Sequence, residues 1–152
     1  MIKYMEKTFI RVRSIKDIVI FVSLAIVGII LTVLPGGDAV HIAGFFIIFA
    51  AAILAFVLKS AYKDIETNEK YLKKERYFQQ TMHAAISEAI TSKPDSIDLS
   101  EEDKGNALRL DIFYSRSSGK AYIQLFEYVP YTYQPCTKMH EYELSETSKL
   151  IK

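Results

Sequence analysis

From Ile18 to Leu58 the chain carries only two ionisable side chains, Asp38 and His41, and nearly all of its charge lies outside that block. A single water-soluble domain, whose surface needs charge throughout, does not suit this clustering. Ile18–Leu34 is a run of 17 residues without charge, and Val40–Leu58 is a run of 19 whose one ionisable group, His41, sits next to an end. At ~1.5 Å rise per residue these runs reach roughly 26 and 29 Å as helices, close to the ~30 Å hydrocarbon core of a bilayer. Inside lipid every backbone N–H and C=O needs a partner within the segment, so such runs predict membrane-spanning helices at 18–34 and 40–58. The connector Pro35-Gly36-Gly37-Asp38-Ala39 holds helix-stopping and turn residues, and a link this short makes the spans antiparallel neighbours.

Charge sets the expected orientation. Lys3, Lys7, Arg11, Arg13 and Lys16 precede the first span; Lys59, Lys63, Lys70, Lys73, Lys74 and Arg76 follow the second; the connector has no Lys or Arg. The positive-inside rule then puts both chain ends in the cytoplasm of a multi-pass cell-membrane protein, the inner membrane if the source is bacterial. A secretory signal peptide competes for residues 1–34. Against it, the apolar run is longer than the usual signal core and no small-residue cleavage motif stands at Pro35-Gly36-Gly37. A soluble buried hairpin would need a polar face on each helix, and neither has one.

The remaining composition narrows the function classes. With 19 Lys+Arg against 18 Asp+Glu the net charge is +1, so the electrostatic footprint of a nucleic-acid-binding domain is absent and no specific nucleic acid is expected. The single cysteine, Cys136, excludes a disulfide framework within the chain. Neither span has Asp, Glu, Lys or Arg near its centre, which argues against an ion-coupled carrier.

Four segments are expected. In residues 1–17, Met5, Phe9, Val12 and Ile15 recur every three to four positions between basic residues, predicting a basic amphipathic cytoplasmic helix at the membrane surface. Residues 18–58 form the transmembrane hairpin. Residues 59–92 contain no Gly or Pro before Ser92-Lys93-Pro94-Asp95 and predict one long cytoplasmic helix, with a fuller apolar stripe at Phe78, Met82, Ala85, Ile86, Ala89 and Ile90. Residues 93–152 open with an acidic loop and then alternate: Leu108, Leu110, Ile112 and Tyr114, a turn at Arg116-Ser117-Ser118-Gly119, then Ala121, Ile123, Leu125 and Val129. A third strand fits around Thr137–Leu144. The expected fold class is membrane α+β: a two-helix transmembrane hairpin, a long cytoplasmic helix, and a small antiparallel sheet, either a hairpin or a three-stranded meander.

Candidate binding residues come from tyrosine. Six of the ten tyrosines fall between Tyr114 and Tyr142, with Tyr128, Tyr131 and Tyr133 around Pro130 and Pro135. Tyrosine buries a large area and keeps a hydroxyl for water, which suits a contact surface; β propensity with half-burial accounts for the same cluster. Gly28 and Thr32 sit four apart on the first span, Ala51 and Ala55 on the second, a spacing that allows close helix approach within the hairpin or between subunits. Cys136 and His140 make a Cys-x3-His pair, but a structural zinc site needs four ligands and the other histidines are His41 and His83. No cofactor, metal site or catalytic motif is read from the sequence, and the chain is not expected to be an enzyme.

Two resemblances add function classes. Arg76 and His83, in the stretch RYFQQTMH, resemble the Arg-x4–6-His pattern of HEPN ribonucleases, in which two helices bring Arg/His pairs together on an RNA phosphodiester; the resemblance implies an all-helical nuclease using Arg76 and His83. The layout of a two-span hairpin and a cytoplasmic helix is similar to that of the two-transmembrane effectors of prokaryotic antiphage systems, which implies a pore-forming or membrane-perturbing oligomer. The leading expectation is a membrane-anchored binding or scaffold module acting through its cytoplasmic helix and Tyr-rich sheet. Its expected partners are the lipid bilayer, further copies of the chain and a cytoplasmic protein.

Overall fold

In the computed structural model, which describes residues 2–4 and 7–152, the two apolar runs are helices and most of what flanks them is one sheet. The described elements are β1 (Ile2–Tyr4), β2 (Lys7–Val12), α1 (Ile15–Val33), α2 (Asp38–Val57), β3 (Ala61–Asp64), β4 (Lys70–Phe78), α3 (His83–Ser92), β5 (Leu108–Ser115), β6 (Lys120–Val129), β7 (Thr132–Pro135), β8 (His140–Glu143) and α4 (Ser148–Ile151). Contacts divide them into two units: Arg11–Ala61, and Met1–Ile10 together with Tyr62–Lys152. The helical unit is therefore an insertion between β2 and β3, which are neighbours in the sheet.

The helical unit is built as its residues dictate. Ser14 caps α1: its hydroxyl accepts from the Asp17 N–H at 3.1 Å while the Asp17 carboxylate accepts from the Ser14 N–H at 2.8 Å, a reciprocal capping box. The same carboxylate accepts from the Ser60 N–H at 2.9 Å, and the Ser14 and Ser60 hydroxyls lie 2.8 Å apart, so one buried Asp17 ties the start of the hairpin to its end. α1 stops at Leu34, the residue before Pro35, which is extended as the proline ring requires. Both helices are long and apolar enough to cross a membrane. Only Asp17 and Gly28 of α1 and Gly44 and Ala51 of α2 are buried; their remaining surface is almost wholly apolar and exposed.

The second unit is a sheet larger than the sequence predicts. Its strand order is β1-β2-β3-β4-β5-β6-β7, with β8 pairing β6 beside β7. The pairs β1–β2, β4–β5, β5–β6, β6–β7 and β6–β8 are antiparallel. One face carries Phe78, Leu108, Leu110, Ile112, Ile123 and Leu125 under Ile86, Ala89 and Ile90 of α3 and Leu150 of α4. The other face carries Phe9, Tyr62, Tyr71, Phe113, Tyr122, Phe126 and Met139. Strands three places apart in a flat sheet lie roughly 14 Å apart. Phe9 of β2 nevertheless stacks on Phe113 of β5 with ring centroids 4.4 Å apart and planes 4° apart. The sheet therefore rolls over this aromatic face, and the roll supplies the burial that three strands and half a helix would lack.

Two sequence expectations are corrected. The stretch predicted as a long helix from Lys59 is β3, a turn, β4 and a 3₁₀ turn, and helix begins only at His83. Asp64 makes the turn, its carboxylate accepting from the Glu66 N–H and the Thr67 hydroxyl, and Asn68 takes a positive φ of 60°. An Asx turn without Gly or Pro therefore breaks the helical run. Basic residues persist in β4 because partners from elsewhere in the chain take their charges: Lys73 pairs with Asp111 of β5 at 2.8 Å, and Arg76 with Glu102 of the loop before β5. Likewise residues 7–12, predicted as part of an amphipathic helix, are a strand with Phe9 facing the aromatic core. Residues 1, 5 and 6 of that segment, Met5 among them, lie outside the described residues. β4 pairs with β5 from Leu72 to Phe78.

Candidate functional site

The β6–β7 hairpin presents the three tyrosines singled out from sequence. Tyr128 and Tyr133 are cross-strand partners, their ring centroids 5.2 Å apart at 62°. Tyr77 of β4 joins them, 6.3 Å from Tyr133 at 61°. Edge-to-face spacing of this kind is favourable for ring quadrupoles. Tyr133 is fixed further by its hydroxyl, which donates to the Asn106 carbonyl at 2.6 Å. Arg109 fills the space behind it, with its guanidinium carbon 4.6 Å from the Tyr133 ring centre and 4.9 Å from that of Phe126. Tyr77, Tyr133 and the loop Asp103–Asn106 border an open groove beside the hairpin.

The charges under this surface are matched. Asp111, wholly buried, meets the Arg109 Nε at 2.8 Å and the Lys73 Nζ at 2.8 Å, and Lys73 also reaches Glu75 at 2.5 Å. Burial pushes the Asp111 carboxyl above its ordinary range, with Lys73 and Arg109 pulling the other way. Glu75 accepts from the Tyr77 hydroxyl at 2.7 Å. That hydrogen bond, with burial, pushes the Tyr77 phenol up to about 12, so the ring stays neutral. This end of the sheet therefore carries its tyrosine rings over a base of matched charges.

Tyr131 stands apart from the others. It is 96% exposed and has φ of +76°, at the turn that follows Pro130. Proline at the first central position and positive φ at the second is the pattern of a type II turn, which favours Gly or Asn at the second. A tyrosine there costs on the order of 1 kcal/mol or more of backbone strain and gains no packing in return. Tyr128 is also half out, at 52%.

The other sequence candidates fall elsewhere. Gly28 and Thr32 meet Gly44 across the hairpin, Ala51 is buried, and Ala55 is half-buried with its carbonyl accepting from Arg13. Gly28, Thr32 and Gly44 thus lie in the contact between α1 and α2. Gly44 was not among the residues picked out; the spacing Gly44, Ile48, Ala51, Ala55 along one helix face carried the signal. Arg76 and His83 do not share a helix: Arg76 is buried on β4, donating to the Leu150 carbonyl at 2.8 Å and paired with Glu102, while His83 opens α3. The all-helical setting of the HEPN pattern is absent. Cys136 donates to the Leu125 carbonyl at 3.4 Å, burial pushes its thiol up, and His140 lies opposite Ile123. Arg109, Tyr77 and Asn106, which hold the tyrosines in place, were not legible as site residues.

Comparison with protein-family models, curated proteins and solved structures finds no match for this chain. Its functional reading rests on its own residues.

Proposed function

We propose that this chain is a membrane-anchored binding module of the cell membrane. Its α1–α2 hairpin spans the bilayer with both flanking sequences on the cytoplasmic side, and its sheet unit engages a protein through Tyr128, Tyr131 and Tyr133. The observation that carries the reading is Tyr131: a strained, fully exposed aromatic ring that contributes nothing to the fold it belongs to. Backbone outliers of this kind concentrate at functional sites, and tyrosine is among the residues enriched in binding hot spots. The anchor is supported by two helices whose outward surfaces are apolar on every side, an arrangement water does not favour. The role is non-catalytic. The reading as a membrane-perturbing oligomer has less support, because Gly28, Thr32 and Gly44, which would let spans of different copies approach, already meet inside the hairpin.

Two measurements test this. Alkaline carbonate should leave the protein in the membrane pellet, and tags placed before β1 and after α4 should both be reached by protease from the cytoplasmic side only. A photo-crosslinker at Thr132 should then form a discrete adduct in intact membranes that Tyr128→Ala with Tyr131→Ala removes. An adduct no different from that of a crosslinker at exposed Ser96 would end the proposal.

A further inference from the structure

In an antiparallel hairpin the start of each helix lies beside the end of the other. The last carbonyls of a helix have no intrahelical N–H to bond and carry the negative end of its dipole, so a cationic donor beside them is favourable. Neither α1 nor α2 has a basic residue in its own last turn. Each end is served from the other arm of the hairpin instead. Arg13, just before α1, donates to the Ala55 carbonyl near the end of α2. His41, in the first turn of α2, reaches the end of α1: its Nδ1 lies 3.0 Å from the Thr32 carbonyl oxygen and its Nε2 lies 3.1 Å from the Gly36 carbonyl oxygen.

Carbonyl oxygens only accept. A neutral imidazole has one N–H and one bare nitrogen, so in either tautomer one of these two contacts sets lone pair against lone pair. The imidazolium, with two N–H groups, satisfies both. Arg13 keeps its charge at any ordinary pH, whereas a histidine side chain changes charge between about pH 5 and 8. The two ends of the hairpin therefore differ in kind: the Arg13 end is pinned permanently, the His41 end only while its ring holds two protons.

Few other groups act on that ring. Between Ile18 and Leu58 the one further ionisable side chain is Asp38, exposed in the same turn of α2, and no ion pair joins it to His41 among the described residues. The titratable residues of α1, Lys16 and Asp17, stand at its opposite end. The connector has no Lys or Arg to replace the histidine as a cation.

We infer that His41 is a proton-operated latch on the connector between the two spans: as imidazolium it ties down the Thr32 and Gly36 carbonyls, and on losing a proton it releases one of them and loosens residues 34–37. The latch is closed at low pH and opens as pH rises, because the closed form holds the extra proton. It is independent of the tyrosine tip of the β6–β7 hairpin. It rests on the spanning reading for the compartment whose pH it follows, the one opposite both chain ends.

The test uses the full chain in nanodiscs. Nitrogen NMR of isotope-labelled histidine, with His41→Gln assigning the signals, should find hydrogen on both ring nitrogens of His41 at about pH 5 and on one at about pH 8. A spin label on Gly37→Cys in a Cys136→Ser background reads the connector, because a side chain at Gly37 meets nothing within 4 Å and serine keeps a donor toward the Leu125 carbonyl. The ratio of mobile to immobile label should rise about tenfold across that pH range, the equilibrium worth of one hydrogen bond to a charged group. His41→Gln should remove the dependence and Asp38→Asn should leave it. In sealed proteoliposomes whose sheet unit is open to external protease, the label should follow the pH of the lumen. A His41 ring with one proton throughout, a label ratio that does not change, or a change that survives His41→Gln or vanishes in Asp38→Asn would each overturn the inference. So would a label that follows the pH on the side of the sheet unit. Failure of the wider reading looks different: the chain would then leave the membrane in alkaline carbonate.

Discussion

Gly28 and Gly44 meet backbone to backbone where α1 and α2 cross. A Cβ on Gly44 would stand 2.8 Å from the Gly28 carbonyl oxygen, 2.9 Å from the Thr32 nitrogen and 2.7 Å from the Thr32 methyl. Two of those three are main-chain atoms that cannot turn aside, so Gly44→Ala must push the helices apart. The expected cost is about 1–3 kcal/mol, the range for overpacking a close contact. Gly28→Ala should cost less, because its shortest clash, 2.7 Å, is with the Ile48 side chain. Equilibrium unfolding of the hairpin in detergent checks the order, and equal costs would contradict the crossing geometry.

Asp17 ties the two ends of the hairpin by accepting from both the Ser14 and the Ser60 N–H. Asp17→Ala strands the buried Ser14 N–H, at about 1–3 kcal/mol, and returns the Ser60 N–H to solvent, whereas Ser14→Ala removes one cap at about 1 kcal/mol. Amide exchange reads this directly. The Ser60 N–H should lose protection in Asp17→Ala and keep most of it in Ser14→Ala.

Acid sensitivity should centre on Asp64. Burial opposes its ionisation, but the Lys7 ammonium at 2.6 Å, the Glu66 N–H and the Thr67 hydroxyl outweigh that and hold its carboxyl below the ordinary 3.8. A native carboxylate with a depressed pKa binds fewer protons than its unfolded counterpart, so its stabilisation is present above about 3.8 and is lost as pH falls through the lower native value. Asp64→Asn lacks that dependence. Denaturation midpoints measured from about pH 6 downward should fall more steeply for the wild-type chain than for Asp64→Asn below about pH 4.

How far these features were legible in the sequence follows from where their partners lie. The hairpin was legible because lipid-length apolar runs and the Pro35–Gly37 stop are local properties; the observed helices begin two or three residues earlier than the runs and end one residue sooner. The β5–β6 pair was legible because its alternation is local and Gly119, at φ +70°, marks the turn. β4 was not, because Lys73 and Arg76 look like helix-surface charges until Asp111 and Glu102 arrive from elsewhere in the chain. β2 was hidden for the same reason: Phe9 finds its ring partner in Phe113. The tyrosines of the candidate site could be picked out by their number, whereas Arg109, which seats Tyr133, looks in sequence like an outward residue of an alternating strand.

Tyr131 separates stability from binding. With φ at +76° and no packing to lose, Tyr131→Gly should stabilise the sheet unit by about 1 kcal/mol, since glycine adopts that conformation without the Cβ clash and the turn keeps Pro130. Tyr133→Ala should do the opposite. It removes the edge-to-face contacts with Tyr77 and Tyr128, the platform for Arg109 and the hydrogen bond to Asn106, at about 2–4 kcal/mol for a partly buried aromatic. Thermal unfolding of the two variants should therefore move in opposite directions while both weaken the contact that the tip makes. A destabilised Tyr131→Gly would mean that the exposed ring supports the fold after all, and the argument from its strain would fail with it.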